Sequence, residues 1–187
     1  MSVRDDLAAH VPADAAEATD LAHIRAFVAA HDQPFDRKIL EGHLTASAVI
    51  VAANRRSVRL VHHRRLDRWL QPGGHGEPGE TEGGAVALRE ALEETGIAGL
   101  VRHPLVPGLL DVDVHRIPAR GDVPEHDHLD LRYLFVAPPD ATLQRCIEET
   151  RDARWFTWDE LAAVGLDPAA HRMFGKAQAI VGHGHAE

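Results

Sequence analysis

The chain has 187 residues, enough for one domain with a sizeable core and a terminal extension. A hydrophobic fraction of 44% is ordinary for a globular protein, and a net charge of −9 argues against a broad grip on nucleic-acid backbone. The single cysteine, Cys146, excludes an intramolecular disulfide, and no apolar run is long enough for a membrane span. With no signal-peptide pattern at the N-terminus, we expect a cytoplasmic protein with no membrane partner.

The first segment of the chain predicts a helix. Asp14 and Glu17 have the spacing of a capping box, and the helix should end near His31, ahead of a proline. Its apolar stripe consists of Leu21, Ile24 and Val28. We therefore interpret residues 1–40 as an N-terminal helical extension packed on a main domain of residues 41–187.

Strand-like segments follow in the rest of the chain. The predicted strands are 44–53, 58–63, 101–106, 109–117 and 129–136. A capping box at Thr157 and Glu160 predicts a short helix, and Pro168 predicts the start of a last helix. That last helix should turn Met173, Ala177 and Ile180 inward. Strands combined with helices at both ends of the chain indicate an α/β architecture.

Residues 73–97 contain the most informative pattern. On a helix, Glu90, Glu93 and Glu94 fall within an arc of about 100°. We expect Leu88, Ala91 and Leu92 to form the opposite, apolar side. Carboxylates at this spacing repel one another, and the C-terminal half of a helix disfavours anions, so we expect a bound cation to offset both effects. Oxygen ligands favour a hard ion, Mg²⁺ or Mn²⁺.

The same segment resembles the Nudix box. The matching residues, in order, are Gly74, Glu80, Arg89, Glu90, Ala91, Glu93, Glu94, Gly96 and Ile97. The spacer between Glu80 and Arg89 is one residue longer than is usual in the family. The resemblance implies a Nudix-type α/β/α sandwich with a mixed sheet. It also implies a Mg²⁺-dependent pyrophosphohydrolase that cleaves a nucleoside diphosphate linked to another moiety.

The resemblance also implies roles for individual residues. Glu90, Glu93 and Glu94 would bind the metal together with a backbone oxygen at or beside Gly74. Arg89 would pair with a loop carboxylate, for which Glu80 is the choice because it keeps the usual distance from Gly74. We take Glu93, Arg89 and Glu80 as the catalytic set. The general base stays open among Glu90, Glu93, Asp122, Glu125, Glu148 and Glu149.

The extra spacer residue should be absorbed where the backbone is most permissive. Gly83 and Gly84 are adjacent and have no Cβ to restrict φ and ψ. We expect an irregular turn through residues 82–84, regular helix from about Ala85, and Arg89 still within reach of Glu80.

Further residues are candidates to face the substrate. They are Trp69, His75, His128 and Asp130. His126, His128 and Asp130 also look like a zinc cluster, although they would project together from any polar strand face. The aromatic side chains of Trp155, Phe156 and Trp158 are more typical of core residues, and the His183–His185 segment of a terminal tail.

Two alternatives share the fold. An isopentenyl diphosphate isomerase has a cysteine just ahead of the box, where this chain has none, and Cys146 lies far downstream. A non-catalytic nucleotide-binding Nudix domain would act as a sensor, but such domains usually lose box glutamates, and all three are present here. We expect a small-molecule diphosphate as the partner, and a homodimer is compatible with the sequence.

Overall fold

The computed structural model describes residues 2–141 and 150–182, which form four α-helices and eight strands. The helices are α1 (Val3–Ala9), α2 (Ala15–Ala30), α3 (Gly83–Thr95) and α4 (Pro168–Gly182). The first four strands are β1 (Gly42–Val51), β2 (Ser57–His63), β3 (Arg68–Leu70) and β4 (Gly73–His75). The others are β5 (Val101–Arg102), β6 (Asp111–Ile117), β7 (His126–Val136) and β8 (Thr150–Thr157).

One mixed sheet contains all of these strands, and its centre is the parallel pair of β1 and β7. The second edge of β1 is divided between two antiparallel partners, β4 near its start and β2 near its end. The second edge of β7 is divided in the same way between β6 and β5. Strands β3 and β8 both pair with β2. Because the central strands change partners along their length, the sheet curls.

Helices cover the two faces of this sheet through separate hydrophobic clusters. The first cluster joins α1, α2 and α3 to one face of β1 and β7, for example through Val86 and Ala91 against Ala46. The second joins α4 to the other face, for example through Met173 and Phe174. The predicted α/β/α arrangement with a mixed sheet is therefore confirmed.

The N-terminal helices are tied to the sheet. The predicted stripe of α2, Leu21, Ile24 and Val28, is buried in the first cluster, and Asp14 caps the helix by accepting from the backbone N–H of Glu17. The sequence did not predict α1, whose buried Asp6 accepts a hydrogen bond from Tyr133 in β7. The boundary at residue 40 stays a prediction. None of the described helices is long and apolar enough to cross a membrane.

Several predicted elements differ in the structure. Strand β5 has two residues instead of the predicted six, because His103 and Val106 close a turn around Pro104, which has no N–H for a sheet ladder. The helix predicted after Thr157 is a 3₁₀ helix, Asp159–Ala163. The short strands β3 and β4, and β8 with the buried Phe156, had no prediction.

The orientation predicted for α3 was wrong in part. Leu88 and Leu92 are exposed, and the side that faces the sheet carries Val86, Ala87 and Ala91. Glu94 lies on this buried side with 4% of its surface exposed. The helix therefore directs one of its three box carboxylates into the protein.

Candidate active site

The start of the site is the close approach of β4 to α3. The backbone N–H of Gly73 donates to Glu94 Oε2 at 3.1 Å, which gives the buried carboxylate a partner. A Cβ on Gly74 would lie 2.6 Å from the Glu90 carboxylate carbon and one of its oxygens. Only glycine leaves room for Glu90 against this strand. The two glycines thus hold two of the glutamates beside the backbone of β4.

Arg89 connects the loop to the helix. Its Nε and Nη2 donate to the two carboxylate oxygens of Glu80 at 3.1 and 2.9 Å, a bidentate pair. Nη2 also donates to the backbone oxygen of His75, and Nη1 donates to Glu90 and Glu93 at 2.9 and 3.1 Å. The hydrogen bond from Arg89 lowers the pKa of Glu80, which stays ionised. One guanidinium therefore fixes the loop and two box carboxylates together.

The three box glutamates differ in exposure. Glu94 is buried, only 12% of the Glu90 side chain is exposed, and 53% of the Glu93 side chain is exposed. The donor atoms at this place are carboxylate and backbone oxygens, which are the ligands of hard divalent cations. The crowding of Glu90 against Gly74, with a single arginine shared among the carboxylates, fits a site that binds such a cation.

The irregular turn expected through residues 82–84 is not present. Helix α3 begins at Gly83, two residues earlier than expected, so only residues 81 and 82 of the spacer lie ahead of the helix. Gly83 lies so close to Tyr133 that a Cβ there would clash with the phenol oxygen. The glycine pair therefore allows close packing instead of an irregular turn, and the expected contact of Arg89 with Glu80 is present.

A family model matches the part of the chain that builds this site. The match covers residues 42–176 and is described as the NUDIX domain. The chain belongs to the NUDIX domain family. It is an enzyme of the class that hydrolyses phosphoanhydrides. No curated protein matches this NUDIX chain in sequence.

Solved structures share the fold at low sequence identity. An Ap4A hydrolase from C. elegans in a binary complex is 19% identical, with a TM-score of 0.54 over 75% of this chain and 98% of that one. A NUDIX family hydrolase from Clostridium perfringens is 24% identical, with a TM-score of 0.55 over 74% and 97%. The NUDIX domain of Shewanella oneidensis NrtR complexed with ADP ribose is 16% identical, with a TM-score of 0.52 over 83% and 97%.

Asp130, predicted to face the substrate of this NUDIX domain, has an internal role. It is buried, and Thr45 and Ser47 donate to its two oxygens at 3.0 and 2.7 Å. Arg132 donates to it as well, at 3.0 Å. These contacts use both carboxylate oxygens inside the sheet. A contact of Asp130 with substrate stays a prediction.

Histidine side chains gather on the face of the sheet that also carries Asp130. His75 Nε2 lies 3.2 Å from His128 Nε2, so the structure brings together two residues predicted to face the substrate. Burial and neighbouring positive charge lower the pKa of His75 to about 4, and burial with the nearby histidines lowers that of His128 to about 2. His43 of β1, which the sequence analysis missed, packs its ring against both. Their role towards substrate stays a prediction.

The remaining candidates are spread over the molecule. Trp69 packs against Phe156 in the second cluster, and its predicted place in the pocket stays a prediction. Asp122 and Glu125 are exposed, and Glu125 pairs with Arg116. The candidates that lie outside the described residues are Cys146, Glu148, Glu149, His183 and His185.

A cavity of about 680 Å³ adjoins the box loop. It lies between the N-terminal extension and residues 76–81, and its lining includes Phe35, Arg37, Lys38 and Glu80. The extension therefore supplies one wall, with the basic side chains of Arg4, Arg37 and Lys38, to a space that borders the carboxylate held by Arg89.

Proposed function

We propose that this protein is a Mg²⁺- or Mn²⁺-dependent pyrophosphohydrolase that cleaves a nucleoside diphosphate linked to another moiety. The observation that carries the proposal is the convergence of Glu90 and Glu94 on the glycines of β4, with Arg89 joining Glu90 to Glu80. A shared fold with an Ap4A hydrolase and with an ADP-ribose-bound domain supports a nucleotide-like substrate. At sequence identities below 25%, these structures do not select one nucleotide among them.

The proposed ligands are Glu90, Glu93, Glu94 and the backbone oxygen at Gly74. When bound, a divalent cation neutralises charge on the diphosphate and lowers the pKa of water. The chain's own residues set the positions of these ligands. Arg89 orients Glu90 and Glu93 through its Nη1, and Glu80 orients Arg89 in turn by the bidentate pair. Glu93 is the most exposed of the three, which suits it to accept a proton from an incoming water.

The experiment is a substrate screen followed by box variants. Nucleoside triphosphates, dinucleoside polyphosphates, ADP-ribose-like sugars and nucleotide coenzymes are incubated with the protein and Mg²⁺, and products are separated by ion-exchange chromatography. We expect Glu93→Gln and Glu94→Gln each to lower kcat on the best substrate by about 10²-fold or more, because an amide has the shape of the carboxylate without its charge.

Matched controls separate loss of chemistry from loss of fold. Glu41→Gln removes an exposed glutamate that pairs with His31 and should leave kcat unchanged. Mg²⁺ should raise the melting temperature of the wild type and raise it less in Glu94→Gln, since a ligand that binds only the native state stabilises it. Turnover near the wild-type level in both box variants, or a melting curve that Mg²⁺ and Mn²⁺ do not move, would contradict the proposed site.

A further inference from the structure

The register of three strands places three imidazoles together. His43 of β1 is paired with His128 of the parallel β7, so the two side chains leave the sheet on the same face. Thr45 is paired with His75 of β4, and His43 shares its face because it lies two residues before Thr45. Gly74 and the box glutamate that it contacts belong to the opposite face. The histidines are therefore separate from the carboxylate site.

The ring nitrogens lie near the spacing that a bound metal ion requires. One ring nitrogen from each of His43, His75 and His128 lies within 4.8 Å of the others, and the closest pair is 3.2 Å apart. Zinc–nitrogen bonds of about 2.0–2.1 Å in tetrahedral geometry place neighbouring nitrogens about 3.4 Å apart. The longest separation exceeds this spacing by at most about 1.4 Å, so the rings must move towards one another to bind the ion.

His43 supplies an independent observation that points to a ligand. Its side chain is 97% buried, since only 3% of the residue is exposed. Among the described residues, neither of its ring nitrogens has a hydrogen-bond partner. A buried polar group without a partner destabilises a protein by about 1–3 kcal/mol, so a structure that keeps one usually has a use for it. Three rings lie within 5.1 Å of His43, those of His75, His126 and His128, and all three are imidazoles.

The chemistry of the donors selects the ion. Three imidazole nitrogens suit Zn²⁺ and its neighbours in the transition series and suit Mg²⁺ poorly, because Mg²⁺ prefers oxygen. We propose that His43, His75 and His128 form a transition-metal site that binds Zn²⁺ through one nitrogen of each ring. Three protein ligands leave the fourth position of a tetrahedral ion for water or for an oxygen of a bound ligand.

The test is metal binding by the full chain in the presence of millimolar Mg²⁺, which occupies oxygen sites. Zn²⁺ is titrated into metal-stripped protein by calorimetry, and Co²⁺ is added separately to record the visible absorption of a tetrahedral ion. We expect one equivalent of each metal per chain. His43→Gln, His75→Gln and His128→Gln should each weaken Zn²⁺ binding by about 10²-fold or more and remove the Co²⁺ absorption.

Two control variants test histidines away from this cluster. His171→Gln removes an exposed histidine of α4, and the double variant His183→Gln/His185→Gln removes the C-terminal pair. Both should bind Zn²⁺ as the wild type does. Because His43 is buried, its variant is compared by circular dichroism and melting temperature without metal, and the partly exposed His75 and His128 provide the same test if that variant unfolds.

Each result has a defined meaning. Loss of the bound equivalent in the His75 and His128 variants, with both controls unchanged, supports the site. Absence of stoichiometric binding, binding that survives all three variants, or loss only in the C-terminal variant overturns it. None of these readouts depends on hydrolysis, so the metal site and the proposed activity succeed or fail separately.

Discussion

At the scale of single residues, replacing Gly74 should affect the site, whereas replacing the adjacent Gly73 should affect the fold. The atoms that a Cβ on Gly74 would meet belong to the far end of the flexible Glu90 side chain, which can shift by rotation. Gly73 is different, because its Cβ would meet the Cβ and Cα of Ser47 at 2.5 and 2.7 Å and the backbone oxygen of Ala46 at 2.9 Å. Neighbouring glycines therefore fail in different ways when replaced.

We expect Gly74→Ala to lower kcat by about 10-fold or more while changing the melting temperature little, because it displaces a proposed metal ligand and disturbs no backbone. Gly73→Ala should lower the melting temperature clearly, since strand β4 must shift away from β1. Steady-state kinetics and thermal melts of the two variants check this. Gly175→Ala, at an open position inside α4, is the control: kcat should stay unchanged, and the melting temperature should stay the same or rise slightly because alanine favours a helix over glycine. Equal kinetic and thermal losses in both would argue against the distinction.

Sequence and structure agree at this scale where the interacting residues lie close together in the chain. The box spacing predicted the pair of Arg89 with Glu80 and the place of Glu90, because these residues lie on one loop and the helix that follows it. It could not predict His43, whose importance depends on a strand pairing with residue 128. A signal was nevertheless present, since His43, Thr45 and Ser47 are polar at alternate positions of an otherwise apolar strand.

At the scale of elements, β7 shows how alternation can mislead. Asp130 and Arg132 alternate with hydrophobic residues as predicted, yet both are buried. Two of the ion-pair partners of Arg132, Asp111 and Asp113, come from the neighbouring strand β6. Helix α3 gives a similar lesson. Its leucines suggested one apolar side, but the contact of Glu94 with Gly73 turns another side to the sheet.

The charge of Arg132 is enclosed by three carboxylates. It contacts Asp111, Asp113 and Asp130 at 3.0–3.2 Å. Removing one side of a buried ion pair leaves uncompensated charge, so Arg132→Met should lower the free energy of unfolding by about 3–5 kcal/mol. Urea denaturation measures the loss. The control, Arg116→Met, removes an exposed arginine that pairs with Glu125 and Asp127, and it should cost less than about 1 kcal/mol. A small loss at Arg132 would show that the carboxylates are compensated elsewhere.

At the scale of the whole molecule, the sequence predicted the layers and missed the curl. Hydrophobic periodicity identifies long strands such as β1 and β7, which each bury side chains over most of their length. The curl comes from β3, β4 and β5, which have two or three residues each and are defined only by their partners. Such strands are too short to show a periodic pattern. The meeting of His75 with His43 on one face could therefore not be predicted.

The N-terminal extension and the last helix meet at Glu17. This buried residue of α2 accepts hydrogen bonds from the backbone N–H of Ala13 at 2.6 Å and from Lys176 of α4. Lys176 also donates to Asp111 at 3.0 Å, which links the contact to the sheet. Burial raises the pKa of Glu17, but the hydrogen bonds from Ala13, Lys176 and His10 outweigh it and lower the pKa to about 2.

A depressed pKa makes this junction sensitive to acid. A carboxyl group with a folded pKa of about 2 and an unfolded pKa near 4.5 stabilises the native state above pH 4.5. That contribution is lost as the pH falls from about 5 to about 2. We expect the melting temperature of the wild type to fall across this range and that of Glu17→Gln, lower at neutral pH, to fall less steeply. Glu41→Gln, at an exposed site, should keep the wild-type slope. If Glu17→Gln also kept the wild-type slope, the acid sensitivity would belong to other carboxylates. The junction of the N-terminal extension with the main domain would then not depend on the charge of Glu17.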